Sequence, residues 1–404
     1  MKTFLTLFLI AALNIFSQNE DAAELYSKAV ELSKKLLIID THIDIPYRLK
    51  SNFEDISKIT ETGHFDYPRA IEGGLDAAFM AIYIPSSYEE KGGSIELADT
   101  LINLVENLTK LYPDKFEMAY SPQDIVKQFG NNKISLPMGM ENGTPLQGDF
   151  KNLKHFYNRG IRYITLSHGE ANHICDSSYD PNKKWNGLSP FGKSLIAEMN
   201  KLGMMIDISH VSDSTFYQVI ELTKTPVIAS HSSCRFYTPG FERNMNDDMI
   251  KKLAENGGVI QITFGSYFVS GNYQSKMNEL DNYYKEKNVK RYSDEGKKYY
   301  DEFMQKNKID YGTSEDLANH IDHVVKLVGI DHVGLGSDFD GIGKLPAGIK
   351  DVSSYPQIIY ELLKKGYSEK DIEKICSGNI LRVWKEVEDY AKDKNWTVNY
   401  LLSN

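Results

Sequence analysis

The chain has 404 residues, 41% of them hydrophobic, and a formal charge of −10 at neutral pH. The apolar content is ample for a core, and the acidic balance argues against nucleic acid or an anionic membrane surface as a partner. Three cysteines, Cys175, Cys234 and Cys376, are odd in number and widely spaced. They exclude a disulfide framework or a cysteine-built zinc site and leave at most one bridge, three thiols being the simpler reading.

Lys2, the largely apolar stretch Phe4 to Leu13 and the polar residues Asn14 to Gln18 have the three parts of a secretory signal peptide. The apolar part is too short to span a bilayer, and no later stretch is long and apolar enough to do so. The expectation is an exported protein, periplasmic or secreted, with residues 1–17 removed and 18–404 forming a single barrel domain with no transmembrane segment.

Eight short apolar or β-branched runs follow, at 35–44, 75–85, 134–142, 161–168, 203–210, 226–233, 257–264 and 332–341. Between most of them lie helix-like segments with capping residues at their starts: Ser121-Pro122, Ser189-Pro190, Ser212-Asp213, Asn246-Asp247-Asp248 and Thr313-Ser314-Glu315. Strand and helix alternating eight times predicts an α/β fold, a (β/α)8 TIM barrel, with an open doubly wound sheet as the alternative. Residues 265–312, rich in Tyr, Lys, Asp and Glu, form a helical insertion between strands 7 and 8. Such an excursion is either a lid or partner surface, or a solvated helical hairpin. Helices from Ser353 to Lys394 are expected to complete the outer ring.

Residues able to hold a metal stand at the ends of these runs: His42 and Asp44 on run 1, Glu141 on run 3, His168 on run 4, His210 on run 5, His231 on run 6, and Asp338 and Asp340 on run 8. In a parallel barrel those ends share one face, where this fold builds active sites. Imidazoles and carboxylates without thiolate suit zinc and related ions. The number of ligands suggests two ions, His42 and Asp44 able to hold one, His210 and His231 the other, and Glu141 able to bridge them. Such a pair can share a hydroxide, lower its pKa and polarise a carbonyl, which is hydrolytic chemistry. His155, His320, His323 and His332 are read as structural, and Asp340 as a turn residue.

The motifs Asp40-Thr-His-Ile-Asp44, Met140-Glu-Asn-Gly143, Tyr163-Ile-Thr-Leu-Ser-His168, Ile206-Asp-Ile-Ser-His210, Ser230-His-Ser-Ser233, Arg243-Asn244, Gly336-Ser-Asp-Phe-Asp-Gly341 and Gly378-Asn-Ile-Leu-Arg382 occur in this order along the chain. In them the chain resembles the membrane dipeptidase family (peptidase family M19) of the amidohydrolase superfamily. The resemblance implies a binuclear zinc dipeptidase, tolerant of a D-residue at the C-terminal position and often dimeric. It implies that His42, Asp44, Glu141, His210 and His231 are metal ligands and that His168 stabilises the oxyanion. Arg243 would anchor the substrate carboxylate with Asn244 as a polar neighbour, and Asp338 would carry the proton from hydroxide to leaving amine. Gly265 departs from the family pattern, which often has a substrate-touching tyrosine there, and the loop from Gly169 to Asn186 also differs. Other readings are a different amidohydrolase reaction, such as N-acyl amino acid or lactone hydrolysis, a mononuclear site, or a non-catalytic metal-binding barrel.

Overall fold

The structure, a computed structural model, describes residues 21–291 and 293–394. The expected signal peptide lies outside the described residues. Ten strands are assigned: β1 Ile39–Ile43, β2 Ala77–Tyr83, β3 Phe116–Met118, β4 Ile134–Leu136, β5 Met138–Glu141, β6 Ile161–Thr165, β7 Met205–Asp207, β8 Ile228–Ser232, β9 Val259–Ile262 and β10 Val333–Leu335. Every paired strand is parallel. β1 pairs β2, β2 pairs β5, and the order continues through β6, β7, β8 and β9 to β10. The ring closes where Ile43 bridges Phe339, with Asp338 N–H donating to His42 O at 3.0 Å and Asp44 N–H to Phe339 O at 2.9 Å. The result is a TIM-barrel-like α/β fold, as the alternation predicted, and not an open sheet.

Run 134–142 is broken at Pro137, which has no N–H to offer the ladder, so β4 and β5 are separate on paper but share the same edge of β2. β3 is an addition on the outer edge of β4; three residues carry too little periodicity to be seen in the sequence. The predicted helix starts are the observed ones. The side chains of Ser121, Ser189, Ser212 and Asn246 accept from backbone N–H groups three residues on, and Thr313 forms a capping box with Asp316.

The helix Asn379–Asp393 does something the sequence did not suggest. Its Val383, Trp384 and Val387 join Ile39, Phe79, Tyr163, Met205, Ile228 and Val259 in one buried cluster, so it plugs the N-terminal mouth of the barrel instead of only extending the outer ring. Function is thereby confined to the opposite, C-terminal face. The excursion after β9 is a helical hairpin, Gly271–Lys287 and Asp294–Lys306, with a small core of its own. All three cysteines are buried and free. No described helix is long and apolar enough to cross a membrane.

Asp76, at the plugged end just before β2, accepts the Ile38 N–H at 2.9 Å. Burial raises its carboxyl to about 7, only partly offset by that bond and by Lys34. A carboxyl raised on folding contributes stability below its unfolded pKa and loses it as pH climbs through the folded value. Asp76→Asn is therefore expected to leave urea stability unchanged near pH 4 and to raise it by on the order of 2 kcal/mol at pH 9. An equal midpoint shift at both pH values would contradict this account.

Candidate metal centre

The C-terminal ends of the strands bring the expected residues together. Glu141 ends β5, His42 lies in β1 and His231 in β8. His168, His210 and Asp338 each stand three residues past a strand, in the turns after β6, β7 and β10. His210 and Asp338 take left-handed backbone conformations, with φ of 68° and 63°. That is uncommon for residues bearing a side chain, and strained residues of this kind cluster at functional sites. Here the turn aims an imidazole and a carboxylate back over the barrel mouth.

The donor atoms converge closely. His210 Nε2 lies 2.8 Å from His231 Nε2, and Glu141 Oε1 lies 3.1 and 3.3 Å from the same two atoms. The other carboxylate oxygen, Glu141 Oε2, is 3.6 Å from His42 Nε2, which is 3.4 Å from Asp44 Oδ2. Three trios, His42–His231–Asp338, Glu141–His168–His210 and His42–Asp44–Glu141, each hold their donor atoms within 4.8 Å of one another. A tetrahedral zinc shell at 2.0–2.1 Å has edges of about 3.3 Å, so these separations are those of ligands around a shared centre.

The backs of the rings show which nitrogen is free to ligate. Tyr163 Oη donates to Thr41 O at 3.0 Å and so accepts from His42 Nδ1 at 2.8 Å, leaving His42 Nε2 buried, without a hydrogen-bond partner, and facing the Asp44 carboxylate. Ser230 Oγ donates to Asp207 Oδ2 at 2.6 Å and accepts from His231 Nδ1 at 2.7 Å, which leaves Nε2 free there too. Tying the far nitrogen in this way fixes the tautomer and ring orientation of metal-binding histidines. The Tyr163 ring reaches His42 only because residue 139 is glycine: a Cβ there would lie 1.9 Å from the ring. Gly341 has a similar role, since a Cβ would come within 2.3 Å of both Asp338 Oδ1 and Asp44 Oδ2.

Electrostatics treat the three buried rings differently: burial opposes a charge on His42, but Tyr163, Glu141 and Asp44 raise it well above the usual histidine range, so a bound cation would replace a proton there. Burial, then the Arg243 guanidinium, hold His210 well below its usual range, and burial with His42 does the same for His231, so both are neutral lone-pair donors. Burial opposes ionisation of Glu141, but His42, His168, His210 and His231 together keep its carboxyl well below the ordinary value. Burial and the neighbouring Asp44 push Asp338 well above it. The residues present fit a divalent metal.

Other residues fall into place around this cluster. Arg243 is buried, donates to Ser232 Oγ and His231 O at 2.7 Å each, and lies 5.3 Å over the Phe268 ring. It has no acidic partner among the described residues, and its Nε is unpaired. It is no surface ion-pair residue. The Asn244 side chain accepts from Ser233 N–H and donates to Thr238 Oγ1 and Phe268 O, bonds that brace the loop beside Arg243. Asp340 binds the Arg48 guanidinium at 2.9 Å and the His64 N–H, a structural role. His155, His320, His323 and His332 bond to Asp99, Val269 O, Asp247 and Gly258 O respectively, away from the site. Tyr83, which ends β2 as His42 nears the end of β1, packs edge-on to His168 at 4.8 Å. Tyr83, Tyr163, Ser230 and Asp207 support the cluster through contacts between strands, which no local sequence pattern announces. A cavity of about 860 Å³ opens above Asp44, Glu141, His168, His210 and Asp338.

The membrane dipeptidase family model (peptidase family M19) matches residues 26–398. The chain belongs to this family. An uncharacterized dipeptidase of Schizosaccharomyces pombe is 33% identical over 377 residues, covering 89% of this chain and 82% of that one. The solved structure of the probable dipeptidase PvdM from Pseudomonas aeruginosa superposes with a TM-score of 0.80 at 27% identity, over 91% of this chain and all of that one. A metallo peptidase from Rhodobacter sphaeroides, liganded with a phosphinate mimic of L-Ala-D-Ala, has the same fold, with a TM-score of 0.71 at 22% identity over 87% of this chain and 99% of that one. The membrane dipeptidase assignment makes the protein a metallo-dipeptidase, and the cluster at the barrel mouth is where its metal would bind.

Removing one hydroxyl tests the tautomer argument. Tyr163→Phe keeps the ring and frees His42 Nδ1, and metal affinity should fall about 10–100-fold in competition with a chelator. Unchanged affinity would show that Tyr163 does not orient the ligand.

Proposed function

We propose that the protein is an exported, binuclear zinc dipeptidase that accepts a D-residue at the C-terminal position of its substrate. The observation that carries the two-metal reading is the division of Glu141: Oε1 faces His210 and His231 while Oε2 faces His42, with Asp44 beyond. One carboxylate thus serves two donor sets, His42 with Asp44 and His210 with His231. Two zinc ions held there would supply Lewis acidity and a water acidic enough to attack at neutral pH.

The remaining steps belong to the chain's own side chains. Asp338, beside Asp44 and raised by burial, accepts the proton of the attacking water and passes it to the leaving amine. His168, half-buried on the cavity wall, donates to the oxyanion that develops on the scissile carbonyl. Arg243 is a buried cation with no ion-pair partner among the described residues, and a substrate carboxylate is the complement that offsets its desolvation. Residues 1–17 are proposed as the export signal.

The test is metal content measured beside activity on an L-L and L-D dipeptide panel, the L-D members prompted by the ligand of the Rhodobacter sphaeroides relative. Two zinc per chain with hydrolysis of both classes is expected. Turnover confined to N-acyl amino acids or lactones would replace the reading with another amidohydrolase reaction, and full activity with one metal would remove the binuclear part. Asp338→Asn should lower kcat by about 10²–10⁴-fold with zinc retained. Arg243→Lys, which loses the two-pronged donor, should raise KM roughly ten-fold or more.

A further inference from the structure

The cavity above the metal cluster is larger than a small dipeptide needs. At about 860 Å³ it falls in the upper part of the range of about 300–1,000 Å³ that encloses drug-sized ligands. Its floor is the cluster, but its outer wall comes from the excursion after β9, through Tyr267, Phe268, Tyr273 and Met277, with Asp281 and Arg291 at the rim.

That wall is built to keep its shape. Tyr273 and Met277 belong to a hydrophobic core confined to the excursion, with Leu280, Tyr284 and Phe303. Ser270 Oγ donates to Asp310 O at 2.6 Å and Asp310 N–H to Asn272 Oδ1 at 3.0 Å, which ties the two ends of the hairpin together. Tyr267 is held by its hydroxyl on Asn278 Oδ1 at 2.6 Å and by an edge-on contact with Phe241 at 5.0 Å. Its base lies next to the carboxylate anchor: Phe268 sits under the Arg243 guanidinium, and its carbonyl accepts from Asn244. Asp281 and Arg291 pair with each other at 3.7 Å, and the excursion's other lining residues are aromatic rings and a thioether, while Arg48, Asp340 and Lys344 are charged residues of the remaining lining. Gly265 adds no side chain to the wall.

We propose that this aromatic wall is a specificity surface, making the enzyme favour dipeptides in which one residue carries a large aromatic or branched apolar side chain over those built from glycine and alanine. The inference rests on the dipeptidase reading. A bulky side chain reaching past the metal cluster removes its own apolar surface and that of the half-buried Tyr267 from water, whereas an alanine methyl leaves the outer cavity wet. Discrimination of this kind is graded, since it counts methylenes and not hydrogen bonds.

The experiment uses the full metal-loaded chain. Values of kcat/KM are compared for Gly-Gly and L-Ala-L-Ala and for dipeptides carrying L-Phe or L-Leu at either position. The bulky members should be favoured about ten-fold or more, chiefly through KM. Tyr267→Ala and Met277→Ala should shrink that ratio to about two- or three-fold, with melting curves confirming a folded chain. Tyr267 is only half-buried and serves if the Met277 variant does not fold. Affinities of uncleavable phosphinate mimics of alanyl-alanine and of a phenylalanine-containing dipeptide read the same wall without turnover. Hydrolysis of all dipeptides at similar kcat/KM, or a ratio that the substitutions do not move, overturns the wall while leaving the dipeptidase reading intact. Failure to cleave any dipeptide or to bind either mimic sinks that reading and takes the wall with it.

Discussion

The site depends on one constraint: a hydrogen bond to the far nitrogen of a buried imidazole fixes its tautomer and aims the near lone pair. Two of the cluster's three buried histidines are tied in this way, while His210 Nδ1 has no partner among the described residues. His42 meets it through Tyr163, and His231 through Ser230 and Asp207. The commitments do not stop at the rings. Asp207 also accepts from Ser209 N–H, Ser230 N–H and the Thr165 hydroxyl, so it links β6, β7 and β8 at the height of the metal cluster. Asp40 accepts from His42 N–H and Ser337 N–H and from the Tyr355 hydroxyl, joining β1 to the turn after β10. A buried carboxylate persists only when hydrogen bonds replace its water. Here those bonds are also the ones that close the barrel and aim the ligands, so ring closure and ligand geometry are one network.

Backbone strain enters where that network cannot reach. His42 and His231 lie within strands and take their direction from the pleat. His210 and Asp338 lie beyond the strand ends and turn inward only through positive φ, at a cost of about 1–3 kcal/mol each. Asn142 and Asp340 adopt the same region next to Glu141 and Asp338. Their side chains show what compensates: Asn142 donates to Ile84 O and accepts from Asn172, and Asp340 accepts from Arg48 and His64. The strain lies next to the metal-facing groups and is held by polar groups that the chemistry leaves alone.

The difference between what was legible in the sequence and what was not follows from range. Strand runs, helix caps such as Ser189 and Thr313, and metal-friendly residues at run ends are local signals, and they gave the barrel and the convergent cluster. Tyr163 supporting His42 is a contact 121 residues apart, made possible by Gly139 on a neighbouring strand, and no local pattern announces it. Trp384 plugging the far mouth and Asn244 turning its amide into the protein are likewise decided by packing across the fold. Arg243 is intermediate. Its identity came from family resemblance, but its burial without an acidic partner could be seen only in three dimensions.

The barrel mouth and the outer wall are stabilised separately, and this shapes how selectivity relates to chemistry. The cluster is positioned by interior carboxylates and by strands that cannot move without opening the ring. The excursion carries its own core and meets the barrel at its root, where Ser266 N–H bonds to Lys344 O and Phe268 O to Asn244. Met277 and Tyr273 pack within that small core, and among the described residues no hydrogen bond of the ligand network passes through the hairpin helices. Phe268, stacked on Arg243, belongs to both, and Tyr267 reaches His210 through the rings of Phe241 and Tyr179. Substitutions at Phe268 should therefore couple substrate anchoring to side-chain preference, whereas those farther out along the hairpin alter preference alone.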